Sequence, residues 1–257
     1  MLPHRLCPGL GLALLMLAAP ANAAPGTEDE TASAARYNRC LTLSGSSPAA
    51  ALNDAQMWDR AGGGVPARHC AALALVGLHR YAEAGPRLDA LARGADTPAG
   101  LRPALFDQAG NAFLLAGEGA RAVASFSAAL TLSANDPDLF SDLARAQALQ
   151  KNWNEVVLDL NAALAITPRR ADLLVLRASA RRALGQIPEA LHDIEAALAI
   201  RRDAGALVER GLVKRQAGDL GGARRDFRAA LAASPSAAVA AEAKENLDSL
   251  SEDQGTP

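Results

Sequence analysis

Between Arg102 and Pro235 one tripeptide, Ala-Ala-Leu, comes round four times: Ala128-Ala129-Leu130, Ala162-Ala163-Leu164, Ala196-Ala197-Leu198 and Ala229-Ala230-Leu231. Successive copies lie 34, 34 and 33 residues apart. A fixed period of that size marks a stacked repeat, in which each unit buries its apolar face only by lying against the next. The alternative is an alanine-rich helical bundle, since alanine is the best helix former and the tripeptide can recur by chance. The constant period argues against it.

Working outward, every block has the same interior. Seven residues before the second alanine stand Ala122, Val156, Ala190 and Ala223, and four further on come Phe126, Leu160, Ile194 and Phe227. With Ala129, Ala163, Ala197 and Ala230 they form a small–large–small face of one helix. Twelve residues upstream lies another small residue, at Gly110, Ala144, Ala178 and Gly211, where a preceding helix would cross. Bulky Phe106, Phe140, Leu174 and Leu207 precede it by four. Turn signals separate the two helices at Gly117 to Gly119, Lys151-Asn152, Gly185-Gln186 and Gly218-Asp219. Asp136-Pro137, Thr167-Pro168 and Ser234-Pro235 read as helix starts, with a capping side chain followed by proline at the first helical position.

These spacings resemble the tetratricopeptide repeat (TPR). The best match is Gly211, Ala223, Phe227, Ala230 and Pro235; the first block is close, and the middle two lose most aromatics. The resemblance implies an all-α, right-handed α-α superhelix of stacked helical hairpins. It places four TPR-like repeats over residues 101–235. It also implies that the first helix of each hairpin lines a concave groove. Carried over residue by residue, that register gives Asp107, Asn111 and Leu114, then Ser141, Arg145 and Ala148. Val175, Ser179 and Arg182 follow, then Val208, Leu212 and Arg215. In some TPR proteins lysine and asparagine of this face grip a peptide's terminal carboxylate. Asn111 matches one such position, but Asp107 stands where a lysine would be needed.

The remaining chain is read as follows. Residues 1–23 are expected to be a signal peptide, with an apolar run from Leu10 to Ala19 and a small-x-small site at Ala21-Asn22-Ala23; an uncleaved anchor is the alternative. Cys7 precedes the apolar run, where a lipoprotein cysteine would follow it. A flexible leader is expected over 24–33 and two helical hairpins over 34–94, the second a degenerate repeat containing Tyr81-Ala82-Glu83-Ala84. A capping helix is expected over 236–250, carrying Val239, Ala243 and Leu247, and a disordered tail over 251–257. Half the residues are hydrophobic, 4% are aromatic and the net charge is −2, which gives no electrostatic case for nucleic acid or anionic lipid.

A search for chemistry finds little. Cys40 and Cys70 are an even pair in an exported chain and suggest a disulfide, with two buried free thiols as the alternative. His69, His79 and His192 read as lone surface histidines, and no metal site, cofactor or catalytic set is expected. There is no HExxH, paired CxxC, GxSxG or GxxxxGK[ST]. The Gly62-Gly63-Gly64 run reads as a helix breaker.

Fold and export together point to a non-enzymatic protein- or peptide-binding adaptor, periplasmic or secreted. The alternatives are a carrier of a lipid or glycan fragment and an accessory subunit of an envelope enzyme complex. The candidate binding residues are Asn111, Arg145, Ser179, Arg182, Leu212 and Arg215. Arg182 and Arg215, in equivalent positions of successive repeats and joined by Arg145, would favour a peptide with an acidic or C-terminal carboxylate. Alternatively these arginines are solvated or paired with Asp142, Asp172 or Glu209.

Overall fold

The computed structural model describes residues 27–233 and 235–252. Among them are thirteen α-helices, packed in sequence, and no strand. The N-terminal hairpins are α1 (Thr27–Ser46) with α2 (Pro48–Arg60) and α3 (Gly64–Gly77) with α4 (Tyr81–Arg93). After a 3-10 turn at Ala99–Leu101 come α5 (Arg102–Leu115), α6 (Gly119–Leu132), α7 (Pro137–Leu149) and α8 (Trp153–Ile166). The last are α9 (Ala171–Ala183), α10 (Ile187–Ile200), α11 (Ala204–Gln216), α12 (Leu220–Ala232) and α13 (Ala237–Glu252).

The small–large–small face is the packing seam. Ala122, Phe126 and Ala129, Val156, Leu160 and Ala163, Ala190, Ile194 and Ala197, and Ala223, Phe227 and Ala230 are all essentially solvent-free. Small residues let the two helices of a hairpin approach closely, and the large one fills the space that remains. The pairing is matched in volume. A Cβ on Gly110 would lie 2.6 Å from the Phe126 ring, and one on Gly211 would lie 2.5 Å from Phe227. Where the large residue is the smaller Leu160 or Ile194, the facing position is Ala144 or Ala178.

Within each of the four repeats the first helix hands over to the second through a left-handed residue. Gly117, Gly185 and Gly218 have φ of 76°, 75° and 84°, and Lys151 occupies the equivalent place with φ 60°. A side chain there costs roughly 1–2 kcal/mol that glycine avoids. Lys151→Gly is therefore expected to raise stability by about 1 kcal/mol net of the entropy of a freer unfolded chain. A denaturation midpoint at or below the wild-type value would show that the turn is not strained.

Several local expectations change. The part of the expected flexible leader from Thr27 onward is helical, as the start of α1, and residues 24–26 lie outside the described residues. Asp136 does cap α7, accepting from the backbone N–H groups of Asp138 and Leu139 at 2.9 and 3.3 Å. Thr167-Pro168 does not start a helix. Thr167 closes α8, its hydroxyl donating to the Ala163 carbonyl at 3.0 Å, and α9 begins only at Ala171. Thr167 stands four residues before Ala171, and the N-cap position of α9 is held by Arg170. At α13 the hydroxyl that accepts from a first-turn N–H belongs to Ser236, from Val239 at 3.5 Å; Ser234 lies outside the described residues. Asp203 and Asp219 cap α11 and α12 through the N–H groups of Ala206 and Gly222.

α13 covers the last hairpin with fully buried Ala243 and Leu250, flanked by Val239 and Leu247, and closes its apolar end. It extends to Glu252, two residues into the expected tail of 251–257. The expected signal peptide and residues 253–257 lie outside the described residues.

At the other end Cys40 and Cys70 form a disulfide, Cα atoms 6.0 Å apart, joining α1 to α3. Both cysteines are buried, in a small cluster with Ala51, Ala55 and Ala74.

Candidate functional site

Successive first helices touch one another: α5 meets α7, α9 meets α11, and α11 meets α13. Successive second helices make no comparable contact, so the first helices line the inner, concave side and the second helices splay outward. Side chains that bridge first helices therefore mark the concave face.

At its N-terminal half that face is acidic. Asn111 on α5 donates to the Asp107 carboxylate at 2.9 Å and to the Asp107 carbonyl at 3.2 Å. Burial pushes the Asp107 carboxyl up to about 6, helped by the charges of Asp142, Asp136 and Asp138 on and before α7. Burial also raises Asp142, with Arg145 and Asn111 pulling the other way. Arg145 itself donates to Asp142 at 3.0 Å within its own helix. Ser141 is buried beneath this surface.

The C-terminal half carries the guanidinium groups. Arg182 on α9 grips Glu209 on α11, with Nε to Oε1 at 2.7 Å, and Gln216 donates to the Arg182 carbonyl at 3.2 Å. Arg215 is exposed and reaches only Ser249 of α13, at 3.4 Å. Ser179 and Leu212 are half-buried, and Leu212 packs on the terminal core. Arg145 and Arg182 are thus held by Asp142 and Glu209, two of the three partners the sequence offers. Arg145 does not join the other arginines; it neutralises an acid of the opposite half. Arg215 is the least committed cation of the three.

The sign of the Asp107 shift sets a pH dependence. Its folded-state pKa stands near 6, above its ordinary 3.8, so the folded chain holds the proton more tightly. The penalty is absent below both values and is incurred as pH rises through this window. Asp107→Asn is expected to melt higher than wild type at pH 7 and to lose part of the wild-type decline between about pH 4 and 6. Asp142, raised by burial, and Asp159, raised by burial and by Glu155, contribute in the same direction. Identical pH profiles for the two proteins would overturn this assignment.

Sequence reasoning missed an ion cluster between the helices of the last two hairpins. Asp193, with no solvent exposure, accepts two bonds from Arg177, at 2.9 and 2.7 Å, and one from Arg181 at 2.7 Å. Asp226 repeats this with Arg210, at 2.9 and 2.6 Å, and Lys214 at 2.7 Å. Burial alone would raise Asp226, but the bonds from Arg210 and Lys214 outweigh it and hold the carboxyl below its usual range. The recurrence of Arg177 at Arg210, Arg181 at Lys214 and Asp193 at Asp226, each 33 residues on, was the available signal. One repeat earlier the acid persists as Asp159, but Leu143 and Gln147 replace the cations, and its Oδ2 is buried without a hydrogen-bond partner.

His69 is also not a lone surface histidine. Half-buried, it bonds Tyr37 of α1 through Nδ1 and Gln108 of α5 through Nε2, both at 2.6 Å. Burial lowers its pKa, which favours the neutral ring. His79 lies at the α3–α4 turn against Tyr81. Among the described residues no three His, Cys, Asp or Glu side chains are grouped to hold a metal. No described helix is long and apolar enough to cross a membrane.

This geometry is that of a TPR solenoid, and solved structures bear out the fold. The structure of TTC0263, a thermophilic TPR protein in Thermus thermophilus, superposes with a TM-score of 0.56 at 16% identity, covering 68% of this chain and 95% of that one. YrrB, described as a TPR protein with an unusual peptide-binding site, gives 0.55 at 17% identity over 74% of this chain and 96% of its own. MamA from Desulfovibrio magneticus RS-1 gives 0.54 at 19%, covering 73% and 94%. No protein-family profile and no curated protein matches the sequence. The fold class is therefore a right-handed α-α superhelix of TPR-like hairpins.

Proposed function

We propose that this protein is a non-enzymatic adaptor that binds a protein segment or peptide along the concave face formed by α5, α7, α9 and α11. The observation that carries the reading is the separation of charge along that face. Acids at Asp107 and Asp142 occupy one half, and the exposed Arg215 occupies the other. An extended peptide with a basic side chain at one end and an acidic side chain or terminal carboxylate at the other would complement both. TPR-fold neighbours, YrrB with its peptide-binding site among them, support a protein-interaction scaffold in general. A groove lined by apolar side chains would instead favour a lipid or glycan carrier; the charged groups on this face favour peptide.

The compartment proposed is the periplasm or the extracellular space. The disulfide supports it, since such bonds persist where the surroundings are oxidising.

Peptides selected from a random displayed library test the reading. Wild-type selections should pair a basic residue with an acidic one or a free C-terminus. Arg215→Ala should weaken such peptides about tenfold, the loss of one charge-assisted contact, and Asp107→Asn with Asp142→Asn should remove the basic preference. Arg215 is the sharper probe because deleting Arg182 would strand the largely buried Glu209 carboxylate. Selections with no charge preference, or peptides indifferent to all three substitutions, would move the binding surface elsewhere.

A further inference from the structure

Outside the concave face, a cleft of about 280 Å³ opens between α2, α3 and α4. Two of these are second helices, which splay outward in this fold, so the cleft belongs to a different surface from the one described above. Ala71, Ala90 and Leu91 give it an apolar wall, and Asp59, Arg68 and Arg87 supply its charge.

The three charged groups are not equivalent. Arg68 is committed: it pairs with Asp96, lies 3.9 Å from Asp59, and donates Nε–H to the Gly64 carbonyl at 3.3 Å. Arg87 is not. The carboxylate one turn before it on α4 is Glu83, and both Glu83 oxygens are held by Arg80, at 2.6 and 2.7 Å. Glu83 accordingly stays below the usual carboxylate range, chiefly through the Arg80 hydrogen bond, with the nearby Arg87 charge adding a smaller pull and no bond. Among the described residues no carboxylate is hydrogen-bonded to the Arg87 guanidinium. An arginine with its planar fork unengaged, beside an apolar wall, suits a carboxylate joined to a small hydrocarbon body.

Size and charge narrow the class. The volume sits at the lower edge of small-molecule sites, which begin near roughly 300 Å³, so the ligand is about as large as one amino-acid residue. Asp59 on the rim disfavours a second negative charge, which argues against phosphate and dicarboxylates. We propose that this cleft is a second binding site, for a small aliphatic monocarboxylate such as the C-terminal residue of a peptide or a free short-chain acid, with Arg87 gripping the carboxylate.

The test is a titration of the full, disulfide-intact chain followed by amide NMR shifts, with N-acetylleucine, leucinamide, isovalerate and inorganic phosphate as probes. N-acetylleucine should produce saturable shifts confined to α2, α3 and α4, and leucinamide and phosphate should not. Arg87→Ala should weaken N-acetylleucine about tenfold or more with an unchanged melting temperature, because the side chain is exposed. Arg215→Ala should leave the titration unaltered, which separates this site from the concave face. Isovalerate binding as tightly as N-acetylleucine points to a free acid, and weaker binding points to a peptide terminus; both keep the monocarboxylate assignment. Leucinamide or phosphate shifting the same amides as strongly, undiminished binding to Arg87→Ala, or no saturable shift with either carboxylate would overturn the proposal.

Discussion

Replacing Phe227 by alanine is expected to destabilise the fold by roughly 3–5 kcal/mol, the usual cost of deleting a fully buried aromatic ring. Phe227 has no solvent exposure and fills the space that Gly211 leaves in the last hairpin, next to the core closed by α13. The loss should be local at first. In a solenoid each hairpin is supported mainly by its neighbours, so hydrogen-exchange protection should fall in α11, α12 and α13 before α5 to α8. The complementary change tests volume matching rather than burial alone. Gly211→Ala places a methyl group 2.5 Å from the ring, and overpacking of that kind costs about 1–3 kcal/mol. Joined with Phe227→Leu, the same alanine should become tolerable, because Ala144 with Leu160 is the native pairing two repeats earlier. A double-mutant cycle with no coupling, or a Phe227→Ala melt that matches wild type, would mean that this seam does not hold the hairpin together.

Removing the disulfide should be the next most costly change. Cys40 and Cys70 close a loop with a sequence separation of 30, and in the chain-entropy account such a cross-link stabilises by about 3–4 kcal/mol. The expected result is a lower melting temperature for Cys40→Ala with Cys70→Ala, and a matching fall when the wild type is reduced. The damage should concentrate on α1, which meets the rest of the chain through α2 and α3. The Tyr37–His69–Gln108 chain, which ties α1 and α3 to α5, would then remain beside the Arg36–Asp54 ion pair between α1 and α2 as a polar link across that end. Equal melting of reduced and oxidised protein would show that packing alone holds α1.

The ion clusters explain why the candidate site was only partly legible. A register carried from one helix face indicates which side chains share that face, and Asn111, Arg182 and Arg215 do bridge or border first helices as expected. It does not indicate which acid reaches which base. Arg182 and Arg215 are one repeat apart and equivalent in register, yet one is locked to Glu209 and the other meets only a serine hydroxyl. The cap α13, the next helix on the concave side, carries Glu242 33 residues after Glu209, yet Arg215 bonds Ser249 of that helix instead.

By itself the sequence determined the architecture. A period of 34 or 33 residues, with alanine or glycine wherever two helices must approach and one large side chain between them, leaves little choice beyond stacked hairpins. Those positions are set by contacts within the repeat and between adjacent repeats, so their residue types recur at a fixed spacing and can be read along the chain. The tertiary structure alone decided the charges. Asp193 and Asp226 are each gripped by two cations, whereas Asp159, in whose repeat Leu143 and Gln147 stand at the cation positions, keeps a buried oxygen without a partner. Thr167 reads as a helix start and closes a helix; His69 reads as a surface residue and joins three helices. Burial of an apolar face is non-directional and needs only the right residue type, so it survives as a pattern. A hydrogen bond or ion pair depends on which atoms come within about 3 Å, and that is settled only when the helices have packed.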